Sequence, residues 1–161
     1  MRHRFKGFTL IELMVTVAIL AILAFIAVPS FVSIINNARA DSETNDLYRT
    51  LNYARLEAIN RGASVRVTPA TANTWTSMLR VQVVNTGTGA AAQLGDVLRV
   101  SSAMSRASAV AAGNTPFIEF NNLGALSAPA ASLTLVYTKG SINKSIGVCL
   151  NGRVVLGGVC G

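Results

Sequence analysis

The chain has 161 residues, 51% of them hydrophobic, with 14 Lys and Arg against 7 Asp and Glu for a formal net charge of +7. A single histidine, His3, and two cysteines, Cys149 and Cys160, exclude Ser-His-Asp, Cys-His and zinc constellations beyond the first few residues, so no catalytic site, metal or cofactor is expected. The length suits one domain behind an N-terminal segment, and past that segment the basic residues stand singly from Arg39 to Arg153 rather than in runs.

Arg2, Arg4 and Lys6 open the chain, and from Phe8 to Val28 follow 21 residues of which Glu12 is the only charged one. As a helix rising ~1.5 Å per residue, that run reaches about 31 Å, enough to cross the hydrocarbon core of a bilayer. The basic flank holds the N-terminus in the cytoplasm and places the rest of the chain across the membrane. A carboxylate inside hydrocarbon costs a few kcal/mol unless it is partnered, which marks Glu12 as a functional position. The plain alternative is that Glu12 lies at headgroup depth.

Gly7-Phe8-Thr9-Leu10-Ile11-Glu12-Leu13, followed by the apolar run with Pro29 near its end, resembles the class III signal of type IV pilins and pseudopilins. The resemblance implies cleavage between Gly7 and Phe8 by a prepilin peptidase, N-methylation of Phe8, and retention of the apolar span as an assembly stem. It also implies that Glu12 meets the free amine of a neighbouring subunit's first residue. Loss of the leader would remove His3 and three basic charges, leaving 11 − 7 = +4. An ordinary secretory signal would instead be cut after the apolar run, where Ala21 to Ala24 or Ala24 to Ala27 offers a small-x-small site.

Pro29 either kinks the helix or ends its first part. Beyond it Leu47, Leu51, Ala54 and Ala58 recur on one helical face, with Glu43, Arg49, Asn52 and Arg61 opposite and Glu57 and Arg61 spaced for an i, i+4 pair. The two alanines would let a sheet approach closely, and Gly62 is placed to end the helix. Stem and extension together read as one helix from Phe8 to about Arg61, roughly 80 Å long. Ala54-Arg55-Leu56-Glu57-Ala58-Ile59-Asn60-Arg61-Gly62 is similar to a pattern of the GspH/FimT subfamily of minor pilins. That likeness implies an α+β pilin fold: leader 1–7, transmembrane and assembly helix 8–29, amphipathic helix 30–62, and a β-rich domain 63–161 on an antiparallel sheet.

From Ala63 the period changes to two. Val65 and Val67 form a strand closed by Pro69, residues 71–74 a turn, and Leu79, Val81 and Val83 a second strand. Residues 86–89 and the alanines after them read as a loop, 97–101 as a strand, 102–113 as irregular. Phe117 to Phe120 is strand-like and 121–124 a turn, while Leu133, Leu135 and Tyr137 make a strand ended by Lys139-Gly140. Last, 146–150 and 153–156 flank Asn151-Gly152, a two-residue hairpin signal with both turn positions at positive φ, which pairs Leu150 with Arg153 and Cys149 with Val154. An export segment and an even cysteine count suggest a Cys149–Cys160 disulfide, free thiols being the alternative, and the bridge then needs a chain reversal at Gly157-Gly158.

The functional expectation is a minor pilin that inserts by its N-terminal helix and is built into, primes or caps a type IV pilus. Its partners would be other pilins, the prepilin peptidase and the inner membrane, with the C-terminal domain periplasmic before assembly and in the filament after it. Two alternatives follow from the same resemblance. One is a GspH-like pseudopilin of a type II secretion system. The other is a DNA-binding minor pilin of natural transformation, because Gly152-Arg153-Val154-Val155 matches a Gly-Arg-x-Arg tail motif except for its second arginine. DNA contact would then fall to Arg153, helped by Lys139 and Lys144, and few phosphate contacts give little affinity. The plain reading of Arg153 is a solvated residue beside a turn. An enzyme is not expected.

Overall fold

The computed structural model describes residues 7–87, 89–158 and 160. The basic leader with Arg2, His3, Arg4 and Lys6, and the side chain of Pro29, lie outside the described residues. The chain divides into two compact units on either side of the Ala38–Arg39 boundary, and helix α1, Leu10–Arg61, contributes to both. The helix runs unbroken through position 29, so Pro29 does not end its first part.

In the first unit α1 is apolar all round and its large side chains are exposed, from Leu10 through Ile35. In the second unit the same helix turns one stripe inward. Ala40, Thr44, Leu47, Leu51, Ala54 and Ala58 are buried, spaced alternately by four and three as a single face requires. Thr44 sits in this stripe without an orphaned hydroxyl because it donates to the Ala40 carbonyl at 2.7 Å. The helix ends as expected at Gly62, φ +61°. Ala63 N bonds back to Ala58 O at 3.2 Å and Gly62 N to Ile59 O at 3.3 Å, the paired pattern of a Schellman cap.

Among the described residues nine strands follow: β1 Val65–Pro69, β2 Leu79–Thr86, β3 Gln93–Ser101, β4 Ser108–Ala111, β5 Ile118–Phe120, β6 Leu126–Ala128, β7 Leu133–Lys139, β8 Ile142–Val148 and β9 Val154–Leu156. They form two antiparallel sheets, ordered β3-β2-β1-β5-β6 and β4-β7-β8-β9. Val65, Val67, Val81, Ile118 and Phe120 from the first sheet and Leu135, Ile146 and Val148 from the second join the helix stripe in one core, with Trp75 among them. Trp75 Nε1 donates to the Thr115 carbonyl at 2.8 Å, which meets the indole's polar requirement inside the core.

Between Val65 and Val67, Arg66 points to the opposite face of β1, yet it is buried too. It stands opposite Glu119 across β1 and β5, giving Nη2 to Oε2 at 2.6 Å and Nε to Oε2 at 3.0 Å. Its Nη2 also donates to Gly89 O at 2.5 Å, and the guanidinium lies 3.9 Å from the Phe117 ring centroid. A buried pair needs such extra bonds to offset its desolvation, and here they tie the loop after β2 onto the outer face of the sheet.

Three expectations are corrected and one strand is added. The 102–113 segment is not wholly irregular, because β4 pairs with β7. Its Ser-Ala-Val-Ala sequence shows no apolar alternation, and backbone bonding to a neighbour defines it. β6 is three residues long, too short for a period to show in its residues. β8 begins at Ile142, four residues earlier than 146, after a two-residue turn with Gly140 at φ +60°. Finally, Val148 pairs with Val154, so the last hairpin has three loop residues, Leu150 to Gly152. Gly152 N bonds Cys149 O at 2.8 Å and Cys149 N bonds Arg153 O at 2.9 Å, with Gly152 alone of the Asn-Gly pair at positive φ, +77°. Three-residue hairpins of this kind set a glycine in the left-handed region, and the Asn-Gly pair serves them as well as the two-residue form.

Gly152 is also where the fold is tightest. A Cβ there would lie 1.6 Å from the Gly124 carbonyl oxygen, which is itself held by Arg55 Nε at 3.1 Å. Gly152→Ala combines a backbone clash with an unfavourable φ, and we expect it to lower stability by about 3 kcal/mol. Urea unfolding of the full chain in detergent measures this, and a loss under about 1 kcal/mol would contradict the packing described.

Candidate functional site

Gly7 and Phe8 precede the first helical turn and are exposed, so the peptide bond between them is accessible. Thr9 caps the helix. Its Oγ1 accepts from Glu12 N at 3.2 Å, while Glu12 Oε2 accepts from Thr9 N at 3.1 Å and from Thr9 Oγ1 at 3.0 Å. This is a reciprocal capping box, which Thr-x-x-Glu encodes and which the sequence reading passed over. It answers in part how a carboxylate can sit on an apolar rod, because the helix N-terminus solvates it with its own donors. Glu12 Oε1 accepts no hydrogen bond among the described residues, which leaves one oxygen for a donor from elsewhere.

Among the described residues of the first unit, no other element packs against the rod behind this cap. Phe8 is 77% and Phe25 86% exposed, and α1 is long and apolar enough to cross a membrane. Water does not tolerate a bare helix of this composition, so the segment belongs in lipid or against other apolar helices.

The cysteines form a disulfide, with Cα atoms 5.3 Å apart. The reversal expected at Gly157-Gly158 is present: Gly157 has φ +66° and its N–H bonds Ser145 O at 2.8 Å. Gly147 makes room for the returning tail, for a Cβ there would meet Gly158 O at 3.1 Å and Cys160 Sγ at 3.7 Å. The bridge closes a separation of 11 residues, worth roughly 2–3 kcal/mol on the chain-entropy view.

Of the three basic residues considered for DNA, two are occupied. Lys139 is buried, with Nζ donating to Ser105 Oγ at 2.5 Å and lying 3.7 Å from Glu43 Oε1. Lys144 is paired with Asp41. Arg153 is exposed beside the turn, where Asn151 Oδ1 accepts from its backbone N–H at 3.0 Å. The structure therefore does not gather the three into one cationic surface.

Glu43 departs from its expected place on the solvent side of α1. It accepts from Ser108 Oγ at 2.5 Å, Tyr137 OH at 2.7 Å and Ser105 N at 3.0 Å. Burial pushes its carboxyl up, but the bonds from Ser108, Tyr137 and Ser105 outweigh that and hold it at about 2. Burial together with the Glu43 carboxylate pushes Tyr137 up to about 12. The cluster latches α1 to β4 and β7. The sequence signal was absent, since these partners lie 62 to 94 residues away.

A family model for the type II transport protein GspH matches residues 43–153, and one for the prokaryotic N-terminal methylation motif matches residues 2–28. Among solved structures, the chain is similar to the type IV minor pilin FimU of Pseudomonas aeruginosa, 18% identical with a TM-score of 0.59, over 74% of this chain and 86% of that one. It is also similar to the minor pseudopilin EpsH of the Vibrio cholerae type 2 secretion system, 15% identical with a TM-score of 0.54, over 73% and 95%. At these identities the likeness shows the shared fold.

A carboxyl held below its unfolded value stabilises the fold fully above that value, about 4.3, and the contribution is lost as pH falls towards about 2. We expect the melting temperature of the full chain in detergent to drop across this window, and Glu43→Gln to flatten the drop while costing about 1–3 kcal/mol at neutral pH. An unchanged acid limb in the variant would contradict the latch.

Proposed function

This chain belongs to the GspH family of type II transport proteins, and we propose that it is a minor pilin built into a type IV pilus by its N-terminal helix. The observation that carries the reading is the exposed apolar rod whose only charged residue, Glu12, is tethered to the helix N-terminus at Thr9. In this reading a prepilin peptidase cuts after Gly7, Phe8 becomes the N-methylated first residue, and residues 8–29 hold the protein in the inner membrane until assembly. The domain beyond the span faces the periplasm and is carried out with the filament.

Glu12 has one carboxylate oxygen satisfied within its own chain and the other open. The amine freed at a neighbour's Phe8 is a donor of matching charge, and neutralisation of both groups favours packing of stems in a low-dielectric bundle. Association of apolar helices in lipid has little hydrophobic drive of its own, so one charge-assisted bond at a fixed depth is suited to setting the stagger between subunits. The disulfide-pinned tail suits a domain exposed to an oxidising compartment.

A pseudopilus of type II secretion is the second reading, favoured by the family's description and by the likeness to EpsH. Both readings use the same stem. They part on where the protein is recovered: sheared surface fibres for the pilus, the cell envelope for the pseudopilus.

The test is Glu12→Ala in the full-length protein, followed by immunoblots of membrane and filament fractions. We expect an unchanged amount in the membrane and at least a roughly tenfold fall in the filament fraction, the effect of losing about 1.4 kcal/mol of pairing. Wild-type incorporation of the variant would contradict the role given to Glu12.

A further inference from the structure

Two tight turns meet beside the C-terminal end of α1. In the first, Gly124 N bonds Asn121 O at 2.8 Å, and Leu123 N and Ala125 N both bond Asn121 Oδ1 at 3.0 Å. In the second, Gly152 N closes on Cys149 O at 2.8 Å. The turns are pressed together at Gly124 and Gly152, joined by Leu126 N to Leu150 O at 3.0 Å, and fastened to the helix by Arg55 Nε on Gly124 O at 3.1 Å.

This rigid junction carries apolar side chains outward. Leu123 is 79% and Leu150 51% exposed, and Ile59, whose Cδ1 lies against Gly124, is 43% exposed. An isolated exposed leucine needs no explanation. Two of them on backbone-locked turns beside an exposed isoleucine form a pre-organised patch, the kind of surface that loses little conformational entropy when covered. Arg55 and Arg153 flank it, and among the described residues neither guanidinium has a carboxylate partner.

We propose that this patch is a docking surface for a different pilin-like subunit that presents apolar side chains ringed by Asp and Glu. The proposal rests on the assembly reading above and adds a lateral, heterotypic contact to the stem. Charge complementarity selects the partner. A second copy of this chain is poorly suited to supply the acidic ring, because most of its carboxylates are already engaged: Glu12 in the helix cap, Asp41 with Lys144, Glu43 in its network, Glu57 with Arg61 and Glu119 with Arg66. That leaves Asp46 and Asp96, one on α1 and one on β3.

The experiment places a photo-reactive phenylalanine derivative at position 123 of the full-length protein in its own cells, and in a parallel strain at position 25 of the stem. Position 123 is expected to capture a different pilin-like subunit through a peptide containing Asp or Glu. Arg153→Glu should lower that yield at least about fivefold, the effect of a contact worth about 1 kcal/mol, while leaving capture at position 25 and the melting temperature unchanged. Capture of a second copy of this chain, of nucleic acid, of lipid or of nothing at position 123, with position 25 still capturing subunits, would overturn the proposal and leave the stem reading intact. Loss of capture at both positions would overturn the stem reading and this proposal with it.

Discussion

Everything in this protein follows from a helix that must satisfy two different surroundings. Up to Ile35 the large side chains of α1 are exposed on all sides, which no aqueous solvent tolerates over such a length. From Ala40 on, one stripe is buried under two sheets. The change of pattern along one continuous helix separates the part that must find lipid or other helices from the part that organises a domain. The single carboxylate on the apolar part is tied to the helix N-terminus by Thr9, so the charge is fixed at one end of the rod.

The domain's geometry rests on close approach. Ala54 and Ala58 are fully buried, and between them Arg55 reaches across to Gly124. Gly124 in turn leaves no space for any side chain at Gly152. The Ala-Arg-x-Glu-Ala spacing is thus a packing specification: small residues admit the sheet, the arginine bonds a turn carbonyl, and the glutamate pairs with Arg61 at 2.7 Å on the outer face. A second long-range fastening, Glu43 to Ser108 and Tyr137, secures the same helix to the other sheet.

Much of this was legible in the residues. The apolar run, the helix end at Gly62, the alternation of Val65 and Val67 and the reversal at Gly157 are each local consequences of side-chain pattern or of glycine's access to positive φ. The strands made of small or polar residues were not legible, because β4 and β6 owe their conformation to neighbours rather than to alternation. Register was misread by one residue at the last hairpin, since Asn-Gly serves loops of two or three residues. Inward-facing charges escaped for a related reason: Arg66, Lys139 and the half-buried Glu43 look solvated in sequence, and only tertiary partners far along the chain make their loss of solvent tolerable.

The central claim is that the apolar rod stays on the working protein. Intact mass measurement of the protein recovered from filaments tests it directly. The account requires a chain that begins at Phe8 with one added methyl group and carries the Cys149–Cys160 bond. A chain that begins after Val28, with the rod discarded, would contradict it.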